Sequence, residues 1–165
     1  MSQTITGPVP YNAPYFYAQA MPGMKADSMD DNVESWACGA APIGFGLICS
    51  RTATGAMTIL PGGPAPLIIG ASLHDHVIAS RGGYTQYDAV SILTRGRVWC
   101  VVDVATGVAD GAPVFYSAAT GAVNNTNTNV ALVNAVFRSG VASVFALLGG
   151  APATVAIVEM HYPLV

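Results

Sequence analysis

The sequence predicts a mainly β protein, with a small β-barrel or jelly-roll-like domain over residues 32–165 and an extended N-terminal arm over residues 1–31. Three observations carry this. β-Branched and aromatic residues recur in short runs, and glycines and prolines cut those runs at turn spacing. The longest run with helical character, residues 130–148, has Gly140 in its middle. At 165 residues the chain suits one domain, able to bury about two-thirds of its unfolded surface.

In the arm, Pro8, Pro10, Pro14 and Pro22 prevent a continuous helix and disfavour interior strands. Tyr11, Tyr15, Phe16 and Tyr17, with Met21, Met24 and Met29, supply adaptable apolar area that a solvated tail seldom carries. The arm is therefore expected to lie on a neighbouring subunit or partner, with folding back over its own barrel as the competing reading. Asp27, Asp30, Asp31 and Glu34 follow just before Trp36. They lack the alternating ligands, glycine and final glutamate of an EF-hand, so they read as a solvated turn that caps a short helical segment over residues 30–36.

Strand character resumes at 43–50, weakened by Gly44 and Gly46, and again at 57–60. The run Pro61-Gly62-Gly63-Pro64-Ala65-Pro66 is a loop. Strands are expected at 67–70 and 73–79, the second containing His74-Asp75-His76. Residues two apart share a strand face, so His74 and His76 could meet one metal if His161 or a carboxylate converged on them. A lone His-x-His pair serves more often as a surface or interface pair, and no metal or other cofactor is expected.

Residues 87–116 carry the clearest pattern. A strand over 89–93 is expected to turn at Thr94-Arg95-Gly96 into a second strand over 97–104. Turns at Ala105-Thr106-Gly107 and Ala109-Asp110-Gly111 lead to a third strand over 114–117. Residues 118–129, rich in Asn and Thr, read as an exposed loop. Two strands broken at Ser139-Gly140, a turn at 149–152 and a closing strand over 153–160 complete the chain.

Composition narrows the function. Hydrophobic residues make up 52% and charged residues 9%, against roughly 25% charged in ordinary soluble domains. Every apolar run stops well short of the roughly 18–20 residues of a membrane-spanning helix, and the first residues lack the pattern of a signal peptide. The surplus therefore points to contact with other protein. Net charge is −3 with a single lysine, and Arg95 and Arg97 form the one close basic pair, so nucleic-acid binding is not expected. Cys38, Cys49 and Cys100 are odd in number and lack Cys-x-x-Cys spacing, which suits buried free thiols made in a reducing cytosol.

The run VSILTRGRVWCVVDVATGVADGAPVFYSAATGAV resembles the head-decoration, or structural cement, proteins of tailed bacteriophages. The likeness rests on a valine-rich strand at 98–104, Gly107, the Gly-x-Pro-Val-x-Tyr pattern over 111–116 and the Thr120-Gly121 turn. It spans about the central and C-terminal two-thirds of the chain. It implies a non-enzymatic virion protein on the outer capsid surface, assembled in the host cytoplasm, that bridges neighbouring major capsid protein subunits and associates with itself as a dimer or trimer. Tyr11, Tyr15, Phe16, Tyr17 and Trp36 are the expected capsid or oligomer contacts, since buried aromatics dominate interface energy.

The alternative is a receptor- or glycan-binding β-barrel module of a virion, with Tyr84, Tyr87 and Trp99 forming an exposed aromatic cluster. A catalytic reading has little support: there is no nucleophile elbow, Walker loop, HExxH or dinucleotide fingerprint. An Asp88 and Asp103 dyad, or a cysteine paired with a histidine, would depend on the fold bringing the two groups together.

Overall fold

The computed structural model describes residues 21–27, 31–144 and 153–161. Twelve strands form among the described residues: β1 (Asn32–Cys38), β2 (Ile43–Gly44), β3 (Ile48–Arg51), β4 (Thr58–Pro61), β5 (Ile68–Ser72), β6 (Gly83–Tyr84), β7 (Ala89–Val104), β8 (Pro113–Tyr116), β9 (Val123–Asn124), β10 (Val130–Phe137), β11 (Ala142–Val144) and β12 (Ala153–Met160). The only helical pieces among the described residues are two short 3-10 turns, Ala65–Leu67 and Ala79–Arg81. The mainly β class and barrel character expected from the sequence are what the chain adopts.

Ten strands share one sheet that closes on itself twice. The order β1-β4-β3-β5-β7 returns to β1 through a direct β1–β7 pairing, and β7-β9-β8-β10-β12 returns to β7 through β12. The result is two five-stranded rings with β7 common to both. Its first half pairs with β1 and β5, and its second half with β12 and β9. Ring closure removes the exposed strand edges that would otherwise invite aggregation.

The 16 residues of β7 replace the expected turn at 94–96 with one continuous strand that bends. Ser91 O accepts from Leu73 N at 2.8 Å, His74 N donates to Gly23 O at 2.8 Å, and Gly23 N donates to Trp99 O at 2.7 Å. Standard backbone lengths along that chain put Ser91 O and Trp99 O within roughly 15 Å, whereas eight extended residues span roughly 26 Å. The bend falls where Gly96 has φ +120 and the β1 register slips by one residue, Asn32 facing Arg95 and Val33 facing Leu93.

Each ring has its own core. Cys38, Ile43, Cys49, Ile59, Ile69, Tyr84, Val90 and Ile92 fill the first. Val98, Cys100, Val114, Tyr116, Val123, Leu132, Phe137, Ala156, Val158 and Met160 are prominent in the second. Alternate residues of the shared wall divide between them: Cys49, Ile69 and Ile92 face the first, while Ile48, Ile68 and Leu93 belong to the second. A wall buried on both faces reads as apolar pairs rather than as alternation, and it hides part of the hydrophobic surplus inside the molecule.

Local expectations fared unevenly. The strands at 57–60 and 153–160 and the break at Ser139-Gly140 are present, and all three thiols are buried and free. The expected helical segment over 30–36 is instead β1 from Asn32 onward, because six consecutive pairings with β7 outweigh the local capping signal. The run 43–50 is two strands around a turn, with Gly46 at φ +71. The strand expected over 73–79 is absent: β5 ends at Ser72 and a loop and 3-10 turn follow. Residues 123–124, expected in an exposed loop, form a buried strand. Residues 21–27, from the expected arm, lie along β7, where Trp99 N donates to Met24 O at 2.9 Å and Ala26 N to Arg97 O at 2.9 Å.

Candidate interaction surface

Trp36 and Cys38 point to the same side of β1, and Trp36 packs against the first core at its margin. Its Nε1 donates to Glu34 Oε2 at 3.1 Å. The Arg51 guanidinium lies 5.5 Å from the centre of the indole ring, within cation–π range. Arg51 reaches this place because β3 pairs antiparallel with β4 and β4 pairs parallel with β1, bringing Arg51, Ile59 and Cys38 to one level.

Two residues with exposed apolar side chains border β1 close to Trp36 in the backbone. Met57, 70% exposed, accepts from Ala37 N at 3.3 Å on one flank of β1. Tyr87, 79% exposed, donates from its N to Cys38 O at 3.0 Å on the other flank. One strand separates them, so their backbones lie roughly 10 Å apart.

Tyr87 occupies the third position of a turn closed by Asp88 N donating to Thr85 O at 3.0 Å, and its φ is +70. In a type II turn that position normally takes glycine. The Asp88 carboxylate holds the turn, accepting from Thr85 N at 2.7 Å, Thr85 Oγ1 at 3.0 Å and Arg81 Nη2 at 3.1 Å. The Thr85 bonds, then Arg81, keep its pKa below the ordinary carboxylate value. An exposed aromatic held in a left-handed conformation is a local cost that packing inside the chain does not explain.

A second polar cluster lies at the end of β12. Glu159 Oε2 accepts from Arg97 Nε and Arg138 Nε, each at 2.7 Å, and Oε1 lies 2.9 Å from His161 Nε2. Arg97 also reaches Asp27 at 3.2 Å. The Arg138 bond, followed by those of Arg97 and His161, pulls the Glu159 pKa from 4.5 to about 2 against the opposing effect of burial.

The fold separates the groups considered for chemistry. His74 and His76 meet edge to face at 4.7 Å in a loop rather than a strand, and His74 also packs on Phe45 at 4.7 Å. Burial and then His76 lower the pKa of His74. His161 is engaged with Glu159, and no group of three or more metal-binding side chains forms among the described residues. Asp88 precedes β7 while Asp103, bonded to Asn124 Nδ2 at 2.8 Å, lies near its far end. Burial pushes the thiol of Cys49 up to about 12 and that of Cys100 higher still, which keeps both protonated and poorly nucleophilic. Tyr84 is in the first core, its hydroxyl donating to Leu73 O at 2.9 Å, and Trp99 packs with Val155. With Tyr87 the one exposed residue of the three, these aromatics form no shared binding face.

Of the expected contact residues, Trp36 is on this surface, while Tyr11, Tyr15, Phe16 and Tyr17 lie outside the described residues. Sequence reasoning passed over Met57 and Arg51. Their link to Trp36 depends on strand register, and Thr85-Gln86-Tyr87-Asp88, without a glycine, gives no sequence signal of a turn with a left-handed residue.

No curated protein matches this chain. Among solved structures, a chain in the capsid of Myoviridae phage XM1 shares the fold, with a TM-score of 0.66 and 18% identity over 88% of this chain and 91% of that one. The family model for the phage structural cement protein matches residues 9–161. With the whole double ring and part of the preceding arm inside that match, the chain belongs to the phage structural cement protein family.

Proposed function

We propose that this protein binds the outside of a phage head and stabilises the major capsid protein lattice by bridging neighbouring subunits, without catalysing a reaction. The observation that carries the reading is the surface at Trp36, where Met57 and the strained Tyr87 present apolar area on a chain with only 9% charged residues. Membership of the cement family supplies the capsid-stabilising role; the bridging geometry is inferred.

Binding only the assembled lattice would stabilise it by mass action, adding RT ln(1 + [L]/Kd) per site against internal pressure. Self-association as a dimer or trimer would multiply such contacts. Tyr11, Tyr15, Phe16 and Tyr17 would extend the contact beyond the double ring, with residues 1–20 as the reaching part of the arm. Since 21–27 are paired with β7, a truncation should begin at residue 21.

The test is co-sedimentation of purified protein with phage heads that lack it. Wild type is expected to bind and to raise the temperature at which heads rupture, and removal of residues 1–20 to weaken binding while thermal unfolding of the body is unchanged. A dilute monomer without affinity for any head would overturn the reading; unchanged binding after truncation would overturn the arm's part in it.

A further inference from the structure

We propose that Arg51, lying over the Trp36 ring, is the seat for a carboxylate side chain of the capsid lattice. This rests on the cement reading and specifies the chemistry of the contact. Lys25, Arg81, Arg97 and Arg138 each hold a carboxylate within the chain. Arg51 has none within salt-bridge range among the described residues, and the nearby Glu34 is bonded to the Trp36 indole N–H.

The Arg51 Nε is buried without a hydrogen-bond partner. A buried N–H of a charged group is disfavoured unless an acceptor reaches it. The guanidinium lies over the indole ring, and its planar fork of donors is suited to taking both oxygens of a carboxylate. Met57 and Tyr87, whose backbones border the two flanks of β1, add exposed apolar surface to this part of the molecule, which on contact would exclude water and strengthen the pair. A half-buried cation that lies over an indole ring and has no carboxylate of its own among the described residues selects an acidic side chain over a basic or neutral one.

The experiment compares full-length wild type, R51K, R51A and R51E for binding to undecorated heads at 50 and 500 mM NaCl, with thermal unfolding and sedimentation velocity on each. At low salt the expected order is wild type, then R51K weaker by about tenfold because a lysine cannot engage both oxygens, then R51A by about thirtyfold or more, with R51E weakest. The salt dependence of wild-type binding should be reduced in R51A. If wild type binds heads and R51A matches it at both salts, this inference fails while the cement reading stands. If wild type does not bind, both fail. If R51A alters self-association but not head binding, the carboxylate belongs to a second copy and the assignment to the lattice is overturned. R51K preserves the charge and the stem, so it provides the comparison should R51A unfold.

Discussion

The Tyr116 hydroxyl donates to the Gly63 carbonyl at 2.9 Å, joining β8 of the second ring to the loop that leaves β4 of the first. The same seam carries Gly63 N to Ala118 O at 2.8 Å and Ile48 N to Gly121 O at 2.8 Å. Tyr116 has no solvent exposure, and burial pushes its pKa up to about 12, so it remains a donor across the working pH range.

Replacing Tyr116 with Phe keeps the ring packing and leaves the Gly63 carbonyl without this donor. The expected loss is about 1–2 kcal/mol, the usual cost of an orphaned acceptor. For a chain of this size that corresponds to a melting temperature lower by about 2–8 °C. Denaturant unfolding should show an unchanged slope with a lower midpoint; no change in midpoint would mean that the seam is held without this bond.

Gly96 is the point at which β7 serves both rings. Its φ of +120 is one that L side chains rarely adopt, and a Cβ placed there would approach Asp31 Cβ to 3.0 Å. Gly111, at φ +81, has open space around it. Gly111→Ala therefore measures the conformational cost by itself, about 1–2 kcal/mol, and Gly96→Ala is expected to exceed it because Asp31 must also move. Equal losses in the two variants, measured by denaturant unfolding, would show that the crossing at Asp31 is loose.

Gly96 also marks the limit of what the chain reveals locally. Thr94-Arg95-Gly96 has the residues of a turn, and a positive-φ glycine serves equally well as a bend in one long strand. The partners at a distance decide between them, β1 before the glycine and β12 after it. β12 itself was legible because its apolar residues and flanking turn residues agree with its pairing. Ring closure was not, since it depends on strands β1 and β7 more than fifty residues apart. Likewise Ile68-Ile69 and Ile92-Leu93 gave no sign of facing two cores until the shared wall was known. At the candidate surface, Trp36 was readable by residue type, whereas Arg51 and Met57 come to it through register alone.

Glu159 gives a pH dependence of fixed sign. Its folded pKa of about 2 is below its ordinary 4.5, so its contribution to stability is fully present above about pH 4.5 and is lost as the pH falls toward 2. Glu159→Gln removes the charge and should destabilise at neutral pH, with Arg97 and Arg138 left facing a neutral group. The gap in melting temperature between wild type and this variant is expected to narrow progressively from pH 5 to pH 2.5. A gap that stays constant over this range would mean that Glu159 is not what sets the acid limb. Salt at neutral pH should reduce the gap only modestly, because the glutamate side chain is 13% exposed and its bonds are short.

Tyr87 separates stability from contact. Asparagine tolerates the left-handed conformation that tyrosine adopts there at φ +70, and the side chain to be removed is 79% exposed. Tyr87→Asn should therefore leave stability unchanged or raise it by up to about 1 kcal/mol. If the surface beside Trp36 meets the capsid, the same change should weaken head binding by about tenfold, since a buried tyrosine at an interface contributes well over 1 kcal/mol. A rise in melting temperature combined with a fall in head occupancy on density gradients is the expected pair of results. A fall in stability would mean that Tyr87 packs within the chain more than its exposure indicates; a variant that is more stable and binds equally well would remove this turn from the contact surface.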